Sequence, residues 1–159
     1  MSLFVRPPPV RVVGLRPSWY KPLVRKPVDD AQLWLRQARD DYRFGRVALA
    51  NRFHAQTCFI AQQVGEKAVK AVHYRLTGRP VLGHSVHALL KRLNTRASVS
   101  EALLTLGGQL DQYYVPTRYP DALPGIVPAQ AFSLAQARAA LRAAGKILRW
   151  AETQVRRKR

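Results

Sequence analysis

Cysteine is almost missing from this chain: Cys58 is the only one in 159 residues. A single thiol forms no internal disulfide and supplies no multi-cysteine zinc site. No uninterrupted apolar run reaches about 18 residues, so the sequence offers no membrane-spanning helix. The start, Met1 to Arg6 followed by Pro7, Pro8 and Pro9, lacks the apolar stretch and cleavage site of a secretory leader. A cytoplasmic protein with no membrane partner is the expectation. Glycine-rich phosphate loops, a GxSxG elbow and an HExxH pair are all missing. His54, His73, His84 and His87 are too poorly spaced for zinc, and the few acids form no paired-carboxylate face. No metal and no cofactor is expected.

Acids are scarce as well. Nine Asp plus Glu stand against 27 Lys plus Arg, a formal net charge of +18. Residues 1–28 hold six cations and no acid, and the last four residues, 156–159, are all basic. The middle keeps 17 cations against all nine acids, so even the part that folds is basic. That balance favours a polyanionic partner such as RNA, DNA or nucleotide phosphates. Hydrophobic residues, at 47%, are too abundant for a wholly disordered chain. At this length one domain with a core of ordinary depth is expected.

The order of residues suggests three parts. Residues 1–28 contain six prolines, which fix φ and remove backbone donors, so a basic extended arm is expected there. Its Trp19, Tyr20 and Leu23 suggest that it packs on its own domain or on a second protomer. Residues 29–155 read as a helical bundle, and 156–159 as a basic tail. Asp29 and Asp30 open a first helix with Ala31, Trp34 or Leu35, Ala38, Tyr42 and Leu49 at helical spacing. Asn51 is placed to cap a second, long helix carrying Phe53, Ile60, Val64, Ala68, Ala71 and Leu76, which Gly78 and Pro80 stop. Ser85 caps a short third. Ser98 or Ser100 opens a fourth with Leu103, Leu106 and Leu110 inward. A proline-rich loop over about 115–131 leads to a last helix capped by Ser133, with Leu134, Ala137, Leu141, Ala144, Leu148 and Val155 on one face. No stretch alternates long enough for a strand. The expected fold is all-α, an up-and-down bundle of four to five helices.

Three constellations carry chemistry. The first runs from Gln62 to Ala71, Gln-Gln-Val-Gly-Glu-Lys-Ala-Val-Lys-Ala; its Glu66 and Lys70 are spaced to pair along a helix, worth about 0.3–0.5 kcal/mol if exposed. The second, Arg79 to His84, puts a permanent cation near a titratable imidazole. The third, Tyr113 to Asp121, is a rigid aromatic turn whose Arg118 and Tyr119 suit a base or a phosphate. Cys58, beside Phe59 and Ile60, reads as packing rather than as a nucleophile.

In this order the three motifs, Gln-Gln-x-x-Glu-Lys-x-x-Lys-Ala, His-Ser-x-x-x-Leu-Leu and Tyr-x-x-x-Arg-Tyr-Pro-Asp, resemble the HEPN domain family (higher eukaryote and prokaryote nucleotide-binding). The resemblance covers about Asp30 to Trp150. It implies a helical bundle that commonly forms homodimers, with Trp34 and Trp150 as apolar candidates for the interface. It also implies relatives that work beside a minimal nucleotidyltransferase, often as a toxin–antitoxin pair. Many family members are metal-independent ribonucleases that use an Arg followed shortly by a His, one such motif from each protomer. Arg79 and His84 fit that spacing and are the candidate catalytic pair. Lys67, Lys70, Arg118, Tyr119 and Asp121 are the candidate nucleotide- or RNA-binding residues. A protein that binds nucleotide or RNA phosphates is the first reading. A metal-free endoribonuclease toxin and a module making only protein contacts are the alternatives.

Overall fold

Three long amphipathic segments dominate the apolar pattern, and they become the three long helices of the bundle. The computed structural model describes residues 27–157. Helix α1 spans Pro27–Ala50, α2 His54–Thr77, α3 Val86–Leu93, α4 Glu101–Asp111, α5 Pro128–Ala131 and α6 Leu134–Arg156. A single 3-10 turn, Pro120–Ala122, sits in the loop before α5, and no strand occurs among the described residues. The arm expected over 1–28 lies outside the described residues except for Pro27 and Val28, which already belong to α1. Its aromatic residues and Lys158 and Arg159 are likewise outside.

Helix α2 is the axis. It packs against α1 and α6 along its length, while α3 and α4 pair with each other across its C-terminal half. Being surrounded, it buries residues on nearly every side, including Thr57, Gln62, Glu66, Lys70 and His73. Small residues let its neighbours approach: Ala31 and Ala38 on α1, Ala61, Ala68 and Ala71 on α2, and Ala137, Ala140, Ala144 and Ala151 on α6 are all buried. Leu35, Leu89, Leu90, Leu93, Leu110 and Ile147 fill the space between them, each worth about 1.5–3 kcal/mol of transfer free energy. Polar clamps fix the long helices. Arg39 Nε donates to Glu152 Oε1 at 2.6 Å between α1 and α6, and Lys67 pairs with Asp41 between α2 and α1.

Several boundaries differ from the sequence expectation, each for a local reason. Asn51 does not cap α2; its side-chain amide donates to the Val47 carbonyl at 2.9 Å and closes α1 instead. Helix α2 starts after Phe53, which is exposed and offers no capping side chain. Ser85, Ser100 and Ser133 do cap α3, α4 and α6, the last through a reciprocal capping box with Gln136. On α4 the inward face is Leu104, Gly107 and Leu110, with Leu103 and Leu106 only partly buried. A Cβ on Gly107 would lie 3.0 Å from the His87 backbone nitrogen, so the missing side chain is what lets α3 settle onto α4. Leu134, expected inward, is exposed.

Candidate functional site

The α-helical repeat places Gln62, Glu66 and Lys70 one above another on α2. There they are buried, and their pairing is no longer a surface matter. Glu66 Oε1 accepts from Lys70 Nζ at 2.8 Å, and Oε2 accepts from Gln62 Nε2 at 3.3 Å and Gln63 Nε2 at 3.4 Å. His84 Nδ1 completes the shell, 3.3 Å from Oε1 and 3.4 Å from Oε2. The carboxylate thus holds a buried cation and orients an imidazole. The Lys70 ammonium also lies 5.5 Å from the centre of the Trp34 ring, which in turn stacks on Tyr74.

His84 is fixed from both sides. Gln62 Nε2 donates to the His84 carbonyl at 2.7 Å. Just after it, Asp111 at the end of α4 accepts from Ser85 Oγ and from the Val86 backbone amide, both at 2.6 Å, and from the His87 amide at 3.2 Å. A carboxylate at the start of α3 also complements the helix dipole. The imidazole itself stays 59% exposed. With Nδ1 directed at Glu66, Nε2 is the nitrogen left for a ligand.

The ring of His84 stacks on Tyr114, centroids 4.9 Å apart and planes 15° from parallel. Tyr114 is shared. Arg118 Nε donates to the Tyr114 carbonyl at 2.8 Å, and its guanidinium carbon lies 4.5 Å from the Tyr114 ring, 4.8 Å from Phe59 and 4.9 Å from Tyr119. Thr117 Oγ1 donates back to the Tyr113 carbonyl and ties this turn together. The result is a continuous array, Glu66 to His84 to Tyr114 to Arg118 to Tyr119. It combines a half-exposed imidazole, stacked aromatic faces and a guanidinium whose two terminal nitrogens have no hydrogen-bond partner among the described residues.

The structure therefore unites some of the sequence candidates and separates others. His84, Arg118 and Tyr119 converge around Tyr114. Lys70 supports them from below through Glu66 and offers no free ammonium. Lys67 is turned toward α1 and taken up by Asp41, which also accepts from Gln37 at 2.8 Å. Asp121 is exposed in the 3-10 turn. Arg79 is exposed just beyond Gly78, the left-handed cap of α2, and its backbone amide donates to Thr77 Oγ1 at 3.2 Å. Its guanidinium makes no hydrogen bond or ion pair among the described residues, and nothing joins it to His84. Arg75 caps the end of α6 through the carbonyls of Val155 and Arg157. Trp34 and Trp150 are both engaged within the chain, Trp150 donating to the Ser98 carbonyl at 3.0 Å.

Glu66, Gln62, Tyr114, Phe59 and Asp111 are the members that sequence reasoning did not assign. Three of them, Gln62, Glu66 and Tyr114, lie inside the constellations that the sequence singled out, while Phe59 and Asp111 lie outside them. Cys58 is fully buried, and burial pushes its thiol up to about 12, so it holds no thiolate to attack with. His73 Nε2 and His87 Nδ1 are spent on the carbonyls of Leu89 and Leu104, both at 3.0 Å. No three metal-ligating side chains gather among the described residues, and no described helix is long and apolar enough to cross a membrane.

Among the described residues the chain is an all-helical bundle built around a central helix. The HEPN domain profile matches residues 31–154. The chain belongs to the HEPN domain family. Among solved structures it is similar to a protein from Thermus thermophilus, 40% identical with a TM-score of 0.75, over 78% of this chain and 97% of that one. A HEPN domain protein from Thermotoga maritima is 33% identical with a TM-score of 0.63, over 79% and 98%. An archaeal HEPN homologue is 28% identical with a TM-score of 0.66, again over 79% and 98%. No curated protein matches significantly.

Proposed function

We propose that this protein binds the phosphates and bases of RNA or a nucleotide through the surface formed by His84, Tyr114, Arg118 and Tyr119. The reading is carried by one observation: an exposed imidazole and a guanidinium share the same tyrosine ring. Such a surface stacks a base at about 1–3 kcal/mol, while Arg118 donates to phosphoryl oxygens. Family membership adds the expectation of a homodimer acting with a minimal nucleotidyltransferase in a toxin–antitoxin-like module.

The test is a titration of labelled single-stranded RNA in EDTA, read by fluorescence anisotropy, for the parent chain and for His84→Ala. His84 is exposed enough for its removal to leave the fold intact. Affinity falls about tenfold in the variant, the loss expected for one stacked and hydrogen-bonding side chain. Equal affinity in both proteins removes His84 from the binding surface.

A second reading, metal-free endoribonuclease activity, is favoured by the Glu66–His84 contact. A carboxylate on Nδ1 orients the imidazole and leaves Nε2 to take a proton from a ribose 2′-hydroxyl, the work of a general base. Arg79 does not meet His84 within one chain, so its contribution requires a partner protomer. The same EDTA samples run on a gel decide it. Cleavage that vanishes in His84→Ala supports this reading, and intact RNA with the parent chain rejects it.

A further inference from the structure

Among the described residues, a cluster of unpaired positive charge lies away from the array around His84. A cavity of about 570 Å³ opens between the C-terminal half of α1, the α1–α2 turn and the first turns of α6. Arg46, Arg52, Arg138 and Arg142 line it, with no carboxylate among the lining residues. None of the four guanidiniums makes an ion pair or hydrogen bond among the described residues. Like charges gathered without a counter-charge repel one another, and an anion placed between them removes that repulsion.

Two further features converge there. Arg52 adopts φ 64, a left-handed conformation that side-chain-bearing residues avoid. The turn holds it through bonds from its amide to the Leu49 carbonyl at 3.1 Å and from the His54 amide to its own carbonyl at 3.0 Å. That backbone delivers the Arg52 side chain to the cavity. His54, the first residue of α2, is also in the wall, and its Nε2 is the one buried side-chain polar atom left without a partner among the described residues. Tyr42, Leu49, Leu134 and Leu141 add apolar surface between the charges. The volume is that of a small-ligand site, and the mixture of arginines with apolar surface suits a phosphate joined to an organic group.

We propose that this cavity binds a small organic phosphate of about mononucleotide size, at a site sharing no residue with the His84 surface. The cavity's volume and its mixed arginine and apolar lining favour a small molecule over a polynucleotide. Arg138 and Arg142, one helical turn apart on α6, form the phosphate clamp, and Arg46 and Arg52 face them from the α1 side.

The test is calorimetric titration of the full chain at low salt with ATP and with inorganic tripolyphosphate. In Arg138→Ala/Arg142→Ala the affinity for both probes falls at least about tenfold, the effect of losing two charge-assisted contacts. Arg46→Gln/Arg52→Gln serves as an independent pair should the first fold poorly, with the same loss expected. Lys91→Ala/Arg149→Ala removes equal charge elsewhere on the surface and binds as the parent does. Equal losses in that control pair mean diffuse charge attraction and overturn the proposal. So does the absence of saturable binding, or binding that survives in both arginine pairs and disappears in His84→Ala.

Discussion

His84 and Glu66 lie 18 positions apart in sequence, yet the imidazole Nδ1 sits 3.3 Å from the carboxylate. The contact ties an exposed imidazole to a buried carboxylate. Glu66 has to be ionised to hold Lys70, and while ionised it also aims His84. One side chain therefore serves both stability and presentation of the surface.

The stability side of this arrangement is open to direct measurement. Glu66→Ala leaves Lys70 as a buried ammonium without its carboxylate, which costs about 3–5 kcal/mol. Glu66→Ala/Lys70→Ala removes the stranded charge and recovers part of that loss. Urea denaturation of the two variants and the parent gives both numbers. Equal stability of the parent and Glu66→Ala would mean that the pair behaves as an exposed one.

His73 makes stability depend on pH. Burial holds its imidazole below the ordinary 6.5, aided by the charges of Arg92 and Arg96 and opposed by the bond to the Leu89 carbonyl. The unfolded chain accordingly takes up a proton at a pH where the native chain does not. The His73 contribution is fully present above about pH 6.5 and is lost as the pH falls below it. Unfolding free energies measured from pH 7.5 down to 5 should decline, and His73→Gln should decline less steeply.

Neighbouring glycines on α4 should respond oppositely to alanine. At Gly107 a Cβ meets the His87 backbone at 3.0 and 3.1 Å, and backbone cannot move aside cheaply, so Gly107→Ala costs about 1–3 kcal/mol. At Gly108 the nearest atom is His87 Nδ1 at 3.8 Å, an ordinary contact. Gly108→Ala therefore gains about 0.5–1 kcal/mol from helix propensity. Thermal melts of the two variants, side by side, check the sign of each.

Those glycines also explain what the sequence could and could not reveal. The helices were legible because apolar residues recur at helical spacing and because Ser85, Ser100 and Ser133 are recognisable caps. On α4 Leu110 is inward as expected, but Leu104 and Gly107 take the places expected of Leu103 and Leu106, since a buried glycine carries no hydrophobic signal and its role depends on a backbone elsewhere. Asn51 looked like a cap for α2 because Asn caps either end, and only the three-dimensional turn decides which. In the site, Arg118 and Tyr119 were legible as residue types that suit a phosphate or a base, and His84 as a titratable group at the spacing of a catalytic motif. Glu66 was readable only as half of a surface pair, because its depth in the bundle comes from α2 being surrounded on all sides. Asp111 was not assigned at all: its partners, Ser85 to His87, lie about 25 residues away and are brought to it by α3–α4 packing.

The most direct measurement on the central claim is a nuclear magnetic resonance titration of the full chain with a short single-stranded RNA in EDTA, following the histidine ring and arginine Nε–H signals. Arg118 Nε–H is hydrogen-bonded to the Tyr114 carbonyl and is thereby protected from fast exchange. The account predicts that His84 and Arg118 shift together, with one saturation curve, while Arg79 does not follow them. RNA binding that leaves the His84 and Arg118 signals unmoved would contradict it.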